Sequence, residues 1–467
     1  MKKHYKDYQL LIILLLISFF SVYFMPAMLN RLVFLGILFA AYRTRYDYVY
    51  LVWFFIINDA PGRLFSAGAF EAARIPLYPV MAGISVSFQD LFILMYIVKV
   101  ANLKKPPKFI FKKEFSWLIG YAFWVLGYSF LLGVSFENLI ITFRIFLPWG
   151  LIFVVPVFFS NRDVLVRATL LIFPVVLFAL FSQIYSYITE NYWDDALRGI
   201  QSEYITVRKG EASRSYSAVY ITLFSIIQAC YFFPGRKKEI NRNYLAMIIF
   251  LGVFSIFLTA TRGWIIAMIV FLLCILAVFG FLLRYLRLAV VAVVVLLVTM
   301  NQYPIVQTQI DATLERVSTL EALAEGDLTA RNTLRRLDAL PKRVMQKFWE
   351  SPIIGYGFSK DYYRFRDGHI GHHNLLLHVG MIGYALLTGL YAYLLLKIYH
   401  YSSRFQKTKD PSIRIYIFGM IAVFVIHSSS QQLWGIDLVF DHLQKVVYWS
   451  FFFAAVNGVI LYPQRAG

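Results

Sequence analysis

The chain has little charge and almost no cysteine. Only 15% of its 467 residues are charged, whereas about 25% is usual for a soluble domain. Its two cysteines, Cys230 and Cys274, stand inside apolar runs, so they indicate small buried side chains and exclude a disulfide framework. Walker and Rossmann glycine loops, a Gly-x-Ser-x-Gly elbow and carboxylate pairs placed for glycoside hydrolysis are also not evident.

Apolar residues make up 60% of the chain. They form runs of roughly 18 or more residues from end to end, which is typical of membrane-spanning helices. The sequence therefore predicts an all-α polytopic membrane protein with about 12–14 transmembrane helices. A net charge of +19 would suggest nucleic acid in a soluble protein. Here most lysines and arginines stand in short loops, so orientation and lipid headgroups explain them better and no nucleic-acid partner is expected.

The charged flanks of the apolar runs give the expected spans. The first run is long enough to span and lacks a small-residue cleavage site, so it is interpreted as a helix and not as a signal peptide. The spans are 8–29, 31–42, 47–59, 82–102, 114–133, 139–159, 164–184, 216–233, 243–260, 263–282, 287–302, 373–397, 413–431 and 443–462.

Basic loops give the orientation. Lys2, Lys3 and Lys6 place the N-terminus in the cytoplasm, and every alternate loop after it is basic. The loops 60–81, 185–215, 260–263 and 303–372 then lie outside the cytoplasm. The chain divides into about eleven spans in 1–302, a helical extracytoplasmic loop in 303–372 that serves as a lid, and further spans in 373–467.

The loop 303–372 is basic although it is expected outside. Apolar residues at helical spacing predict one helix that ends near Gly326 and a second that contains Leu334 and Leu337. Pro341 must kink or restart this second helix, and Val344 and Phe348 continue its apolar stripe. The segment Gly355-Tyr-Gly357 then predicts a turn.

Arg262 stands in Thr259-Ala-Thr-Arg-Gly-Trp264, where one span ends and the next begins. An arginine at membrane depth requires a partner or a water-filled cavity. The structural alternative is an arginine whose side chain reaches the headgroups.

Arg331, with Arg335 and Arg336 beside it, is a second candidate, because guanidinium groups bind a diphosphate through paired hydrogen bonds. Arg214, at the outer mouth of another span, is a third phosphate contact to consider. The alternative for each of these arginines is a solvated basic face or a headgroup contact.

His372, His373 and Asn374 open the span at 373–397. A histidine can accept the proton of a sugar hydroxyl near neutral pH, and Asn374 could orient it or bind the sugar. Two alternatives are a purely structural histidine and a metal site that also uses His369 and His378. No metal and no cofactor are expected.

The order of these motifs resembles the O-antigen ligase and O-antigen polymerase superfamily over about 257–390. The pattern is Thr-x-x-Arg262-Gly, a loop helix with Arg331, Pro352-x-x-Gly-Tyr-Gly and His373-Asn-x-x-Leu-x-x-x-Gly-Met-Ile-Gly383. The family's turn arginine falls on Arg262 and its histidine on His373. The loop-helix arginine falls on Arg331, or on its neighbours Arg335 or Arg336, because the run to Pro352 is longer than the family spacing.

The resemblance implies a metal-independent, inverting glycosyltransferase of the bacterial inner membrane with its active site on the periplasmic face. Its donor would be a glycan on undecaprenyl diphosphate. The acceptor would be lipid A-core in a ligase, a second lipid-linked glycan in a polymerase, or a protein side chain in a third branch. Two other classes are a polysaccharide flippase, in which repeated halves and charges near the midplane are expected, and a scaffold of an assembly complex.

Overall fold

The computed structural model describes residues 5–59, 76–81, 84–159, 161–189, 191–197, 199, 218–234, 240–259, 261–279, 311, 339–367, 369–403, 411–429, 433–434 and 442–462. Most of them are helical, and the chain is an all-α polytopic membrane protein, as predicted. Within these ranges four helices are long and apolar enough to cross a membrane, and six shorter apolar helices accompany them.

The helices are numbered in chain order. Two short 3₁₀ helices, Leu147–Gly150 and Pro411–Ile413, lie between α-helices. The α-helices are α1 Tyr5–Phe24, α2 Ala27–Arg43, α3 Asp47–Asn58, α4 Phe88–Ala101, α5 Lys112–Leu131, α6 Phe136–Phe146, α7 Leu151–Phe158, α8 Arg162–Thr189, α9 Trp193–Leu197, α10 Val219–Phe232, α11 Arg242–Leu258, α12 Arg262–Phe279, α13 Leu340–Phe348, α14 Lys360–Phe365, α15 Gly371–Ser403, α16 Arg414–Ser429 and α17 His442–Leu461.

The span predicted at 82–102 is wrong at its start. Residues Pro76–Met81 and Ile84–Ser87 form two antiparallel strands, β1 and β2, and α4 begins only at Phe88. The side chain of Ser87 accepts from the amide of Asp90 at 3.2 Å, and the carboxylate of Asp90 accepts from the amide of Ser87 at 3.1 Å. This capping box fixes the first turn of α4, so the preceding residues are left to pair as strands.

The span predicted at 139–159 is also not one helix. It consists of α6, the 3₁₀ helix Leu147–Gly150 and α7. Pro148 lies in the 3₁₀ turn, where its missing amide hydrogen prevents a continuous α-helical ladder.

Helices α3 and α17 form the centre of the bundle. In α17, 94% of the residues in its most apolar 18-residue stretch are buried, and every residue of α3 after the first is buried. Both helices are apolar all round, as expected for helices enclosed by others. They are joined through aromatic contacts such as Phe55 with Phe451, whose ring centroids lie 4.6 Å apart.

The bundle has two chemically different ends. At one end, which we call the basic end, buried or half-buried ion pairs join neighbouring helices. Lys397 pairs with Glu114 at 2.6 Å, and Lys99 pairs with Asp47. The opposite end, which we call the histidine end, holds the beginning of α15 with His372, since roughly 38 Å of chain separates His372 from Lys397 at 1.5 Å per residue.

Helix α15 is broken at Gly380, whose φ of 66° and ψ of −175° are not helical. A break leaves carbonyls without partners at the end of the first part of the helix. The preceding loop supplies hydrogen-bond donors to two of these carbonyls. The amide of Tyr356 donates to the carbonyl of Leu377 at 3.0 Å. The amide of Gly357 donates to the carbonyl of His378 at 2.7 Å.

The second part of α15 is capped by the same loop. The amide of Met381 donates to the carbonyl of Pro352 at 2.8 Å, and the amide of Ile382 donates to that of Ile353 at 3.2 Å. Residues 352–357 are thus bonded to both sides of the break. A single continuous helix at 373–397 was the wrong prediction, because Gly and the inserted loop together make an interrupted helix possible in a membrane.

Glycine is required where the loop meets the break. A Cβ atom on Gly380 would overlap the carbonyl oxygen of Ile353, and one on Gly355 would lie 2.5 Å from the amide nitrogen of Gly380. Gly355 and Gly357 have φ values of 69° and 51°, which confirms the turn predicted there. Around Gly355 and Gly380 the nearest atoms belong to the backbone, which cannot move aside as a flexible side chain can.

We expect Gly380→Ala to lower the melting temperature of the detergent-purified protein. The positive φ costs an alanine roughly 1–2 kcal/mol, and the overlap with the backbone of Ile353 adds about 1–3 kcal/mol. The measurement is thermal unfolding followed by size-exclusion chromatography. Gly389→Ala is the control, because a Cβ at Gly389, in the same helix, meets nothing within 4 Å. Equal melting temperatures for both variants would contradict the importance of the break.

Candidate functional site

The structure describes some of the residues predicted for the site and not others. The side chains of His372, His373 and Asn374 are described, and Arg262 is described as the first residue of α12 by its backbone alone. The remaining predicted contacts lie outside the described residues: Arg214, Arg331, Arg335 and Arg336.

His373 lies in the first turn of α15 and is half-buried. Its imidazole forms no hydrogen bond with a residue that the structure describes. Both ring nitrogens are therefore available for a hydrogen bond to another molecule. A half-buried imidazole of this kind has the geometry that a general base requires, provided that a substrate hydroxyl reaches it.

His372, by contrast, is held by its neighbours. Its Nδ1 lies 3.1 Å from the hydroxyl of Tyr384, which stands about three turns further along α15. Its ring centroid lies 4.5 Å from that of His427 and 4.8 Å from that of Phe424, both in α16. These contacts fix the plane of the ring and leave Nε2 as the nitrogen that is not bonded to Tyr384.

His427 and Tyr384 belong to this cluster although neither was predicted as a site residue. The amide of Leu433 donates to Nδ1 of His427 at 3.2 Å, so this nitrogen is unprotonated and the neutral ring carries its proton on Nε2. An ionisable residue inside an apolar helix is a functional signal in membrane proteins. That signal was present at His427 in the sequence.

Asn374 is fully buried and shapes the loop before the helix. Its Oδ1 accepts from the amide of Asp367 at 3.0 Å, and its Nδ2 donates to the carbonyl of the same residue. A sugar could bind Asn374 only by displacing these bonds. The side chain closes the turn from Asp367 to the helix and so holds the position of His373.

His378 lies in a different environment from His372 and His373. It is fully buried between the rings of Phe358 and Tyr362, whose centroids lie 4.5 Å and 4.6 Å away. Neither ring nitrogen has a hydrogen-bond partner among the described residues. In the described part of the chain no group of three or more His, Cys, Asp or Glu side chains is placed for a metal ion.

The turn that carries Arg262 joins α11 to α12. The hydroxyl of Thr261 donates to the carbonyl of Thr259 at 3.1 Å inside this turn. Trp264 contacts the ring of Tyr220, with centroids 5.6 Å apart. The first turn of α12 also presents the positive end of a helix dipole, which favours an anion.

Packing places this turn at the histidine end. Tyr416, at the start of α16, contacts Tyr231 near the end of α10, so the start of α10 lies at the end of the bundle opposite to Tyr416. Tyr220 stands in the first turn of α10 and contacts Trp264, and α12 packs along α16. The far end of α16 carries His427, which touches His372. The Arg262 turn and the two adjacent histidines thus share one end of the bundle.

The segment 339–367 packs onto α15 through an apolar stripe. Val344 and Phe348 are buried, which confirms that part of the predicted stripe, and they cluster with Tyr362 and Leu377. Pro341 stands in the first turn of α13, where a proline is tolerated.

Several basic residues of this segment have protein partners. Lys347 pairs with Glu350 at 2.6 Å and with Asp361 at 3.0 Å, and these hydrogen bonds hold the pKa of its ammonium group above the usual range. Arg343 donates to the carbonyl of Arg364 at 2.9 Å. The guanidinium of Arg366 lies 4.7 Å from the ring centroid of Tyr363. Internal contacts therefore account for most of the positive charge in the segment 339–367.

Comparison with known proteins relates the chain to one family. No curated protein matches the chain. Residues 247–397 match the family model described as O-antigen ligase, and this range includes the Arg262 turn, the loop at the helix break and the two adjacent histidines. The match supports a membrane glycan transferase of the ligase or polymerase type that uses lipid-linked glycans. Residues 247–397 are therefore similar to the O-antigen ligase family, which supports the resemblance to the O-antigen ligase and O-antigen polymerase superfamily.

Proposed function

We propose that this protein transfers an oligo- or polysaccharide from undecaprenyl diphosphate to a sugar hydroxyl in the synthesis of surface polysaccharide or lipopolysaccharide. One observation carries the proposal. The loop 352–357 and the start of α15, which hold the family's motifs, are bonded into one unit at the end of the bundle where the Arg262 turn lies. The acceptor is lipid A-core in a ligase or another lipid-linked repeat unit in a polymerase.

His373 acts as the general base in this proposal. Its free ring nitrogen takes the proton of the acceptor hydroxyl while the oxygen of that hydroxyl bonds to the anomeric carbon of the donor glycan. The bond between the anomeric carbon and the diphosphate oxygen breaks, and undecaprenyl diphosphate leaves with the electron pair. Attack from the side opposite to the leaving group inverts the anomeric carbon.

Arginines stabilise the departing diphosphate. Arg262 contributes from the start of α12, where the helix dipole adds to its charge. Arg331 is the proposed second contact, with Arg335, Arg336 and Arg214 as further contacts to the donor. No metal and no other cofactor take part in the proposed step.

His372 binds and orients the acceptor. Tyr384 occupies its Nδ1, so Nε2 remains to hydrogen-bond to a sugar hydroxyl. Asn374 serves as a positioning residue for His373, because both groups of its amide are bonded to the backbone of Asp367. Substrate recognition and proton transfer are thereby assigned to adjacent residues.

The inner membrane, with a cytoplasmic N-terminus and a periplasmic active site, is the proposed location. The ion-paired lysines lie at the end opposite to the histidines, and short basic loops face the cytoplasm. The histidine end then faces the periplasm, where the lipid-linked donor is presented.

A flippase is the second candidate, and the break in α15 is the feature that favours it, since transporters bind their substrates at interrupted helices near the membrane midplane. The closure of the break argues against a substrate site there. Residues 352–357 already occupy backbone groups on both sides of it.

The direct test uses purified protein in detergent with an oligosaccharide linked to undecaprenyl diphosphate and no added metal. We expect transfer, seen on a gel, in one of two tubes. A single shifted band with lipid A-core indicates a ligase, and a ladder with donor alone indicates a polymerase. Donor that stays bound and intact in both tubes would contradict a transferase and favour the flippase.

The two histidines are expected to differ in kinetics. His373→Ala should lower kcat by roughly 10²–10⁴-fold, since it removes the base. His372→Ala should mainly raise KM for the acceptor. His369→Ala is the matched control, because His369 is exposed in the same segment and has no assigned role. Loss of activity in all three variants, or full activity of His373→Ala, would contradict this division of roles.

Single alanine variants identify the donor arginines. Arg262→Ala is expected to lower kcat by about 10²–10³-fold, as for the loss of one donor to a developing anion. Of Arg331, Arg335 and Arg336, only the residue that contacts the diphosphate should show a loss of that size. Arg343→Ala is the control, because its guanidinium is bonded to the carbonyl of Arg364. A uniform small loss across all five variants would indicate a general basic surface.

A further inference from the structure

A cavity of about 440 Å³ lies at the basic end, away from the candidate active site. It is formed by the segment before α5, the first turns of α5 and one residue near the end of α15. Its lining residues are Lys108, Phe109, Ile110, Lys112, Lys113, Ser116 and Tyr401. Three positive side chains thus line the cavity together with aromatic and aliphatic groups.

The lysines of this cavity have no acidic partner among the described residues. Lys108, Lys112 and Lys113 are exposed, and none of them forms an ion pair with a residue that the structure describes. The nearest carboxylate in sequence, Glu114, is buried and paired with Lys397 at 2.6 Å. Three positive charges therefore line the cavity, and no described carboxylate balances them.

The backbone beneath the lysines is fixed from two sides. The side chain of Asn457, which is buried in α17, donates to the carbonyl of Lys108 at 3.1 Å and accepts from the amide of Ile110 at 3.0 Å. The ammonium of Lys397 donates to the carbonyl of Ile110 at 2.7 Å. These bonds hold the segment in one shape, so the lysines are carried on a pre-organised frame and not on a free loop.

The cavity opens onto an apolar surface. Lys113 lines it, and Trp117, one turn further along the same face of α5, is 71% exposed. Phe123 and Trp124 continue the exposed face of α5 about two turns further on. Gly120 stands between Trp117 and Phe123 in the sequence and leaves open space, since a Cβ there would meet nothing within 4 Å. The charged cavity is thus followed along α5 by an exposed face that carries aromatic side chains.

We propose that this cavity binds the phosphate headgroup of an anionic phospholipid, whose acyl chains lie along the exposed face of α5. The three lysines contact the phosphate, and Ser116 and Tyr401 supply hydroxyl groups for the rest of the headgroup. A lipid fits better than a soluble anion, because the apolar face continues directly from the charged one. The inference does not depend on the proposed transferase activity.

The test reconstitutes the full-length protein in phosphatidylcholine vesicles that contain brominated phosphatidylglycerol or brominated phosphatidylcholine. Bromine on the acyl chains quenches nearby tryptophan, and the difference between the protein and its Trp117→Phe variant isolates the signal of Trp117. We expect brominated phosphatidylglycerol to quench Trp117 at lower mole fraction than brominated phosphatidylcholine. The double variant Lys112→Gln/Lys113→Gln should weaken this preference by roughly 30-fold, as for two lost interfacial charges.

The matched control is Lys104→Gln/Lys105→Gln, which removes two adjacent exposed lysines from the same segment outside the cavity. This control variant should keep the preference for phosphatidylglycerol over phosphatidylcholine. Equal quenching by the two lipids, or an equal loss in both double variants, would overturn the proposal in favour of general attraction between a basic loop and the membrane. If inorganic phosphate abolishes the preference, the site takes a soluble anion and the lipid assignment is wrong. Unchanged melting temperatures would exclude misfolding as the cause.

Discussion

The backbone hydrogen bonds between the loop 352–357 and the broken helix α15 are the constraint on which the site depends. A helix interrupted inside an apolar bundle leaves amides and carbonyls without partners, each costing several kcal/mol in a medium without water. In this bundle the loop supplies donors to one side of Gly380 and acceptors to the other. Movement of residues 352–357 would expose those groups, so this loop and the start of α15 form one bonded unit.

That unit is also tied to the rest of the bundle. The hydroxyl of Tyr128, near the end of α5, donates to the carbonyl of Gly355 at 2.8 Å. The amide of Phe358 donates to the hydroxyl of Ser129 at 2.9 Å, and the ring of Phe358 contacts His378. Polar contacts at the histidine end therefore connect α5, residues 352–358 and α15, while ion pairs join the helices at the basic end. The bundle is held at both ends and by apolar packing between them.

Apolar length and periodicity predicted the fold class, and local spacing predicted the Gly355–Gly357 turn and the buried stripe at Val344 and Phe348. Neither predicted the break in α15, because Gly380 stands in a run whose hydropathy suits one continuous span. The break depends on a partner loop roughly 25 residues earlier, and such pairing leaves no periodic signal. For the same reason the sequence did not show that Asn374 is bonded to Asp367 or that His372 meets His427 from another helix.

Helix geometry explains why two adjacent histidines are suited to different tasks. Successive residues on an α-helix point about 100° apart, so neighbours in sequence do not share a face. His372 points to α16 and is held there by the Phe424 and His427 rings. His373 is turned away from that contact and keeps both nitrogens free of described partners. A ring held on one side suits the orientation of a substrate, whereas a free ring suits the acceptance of a proton. The proposed roles of His372 and His373 therefore correspond to two different faces of one helical turn.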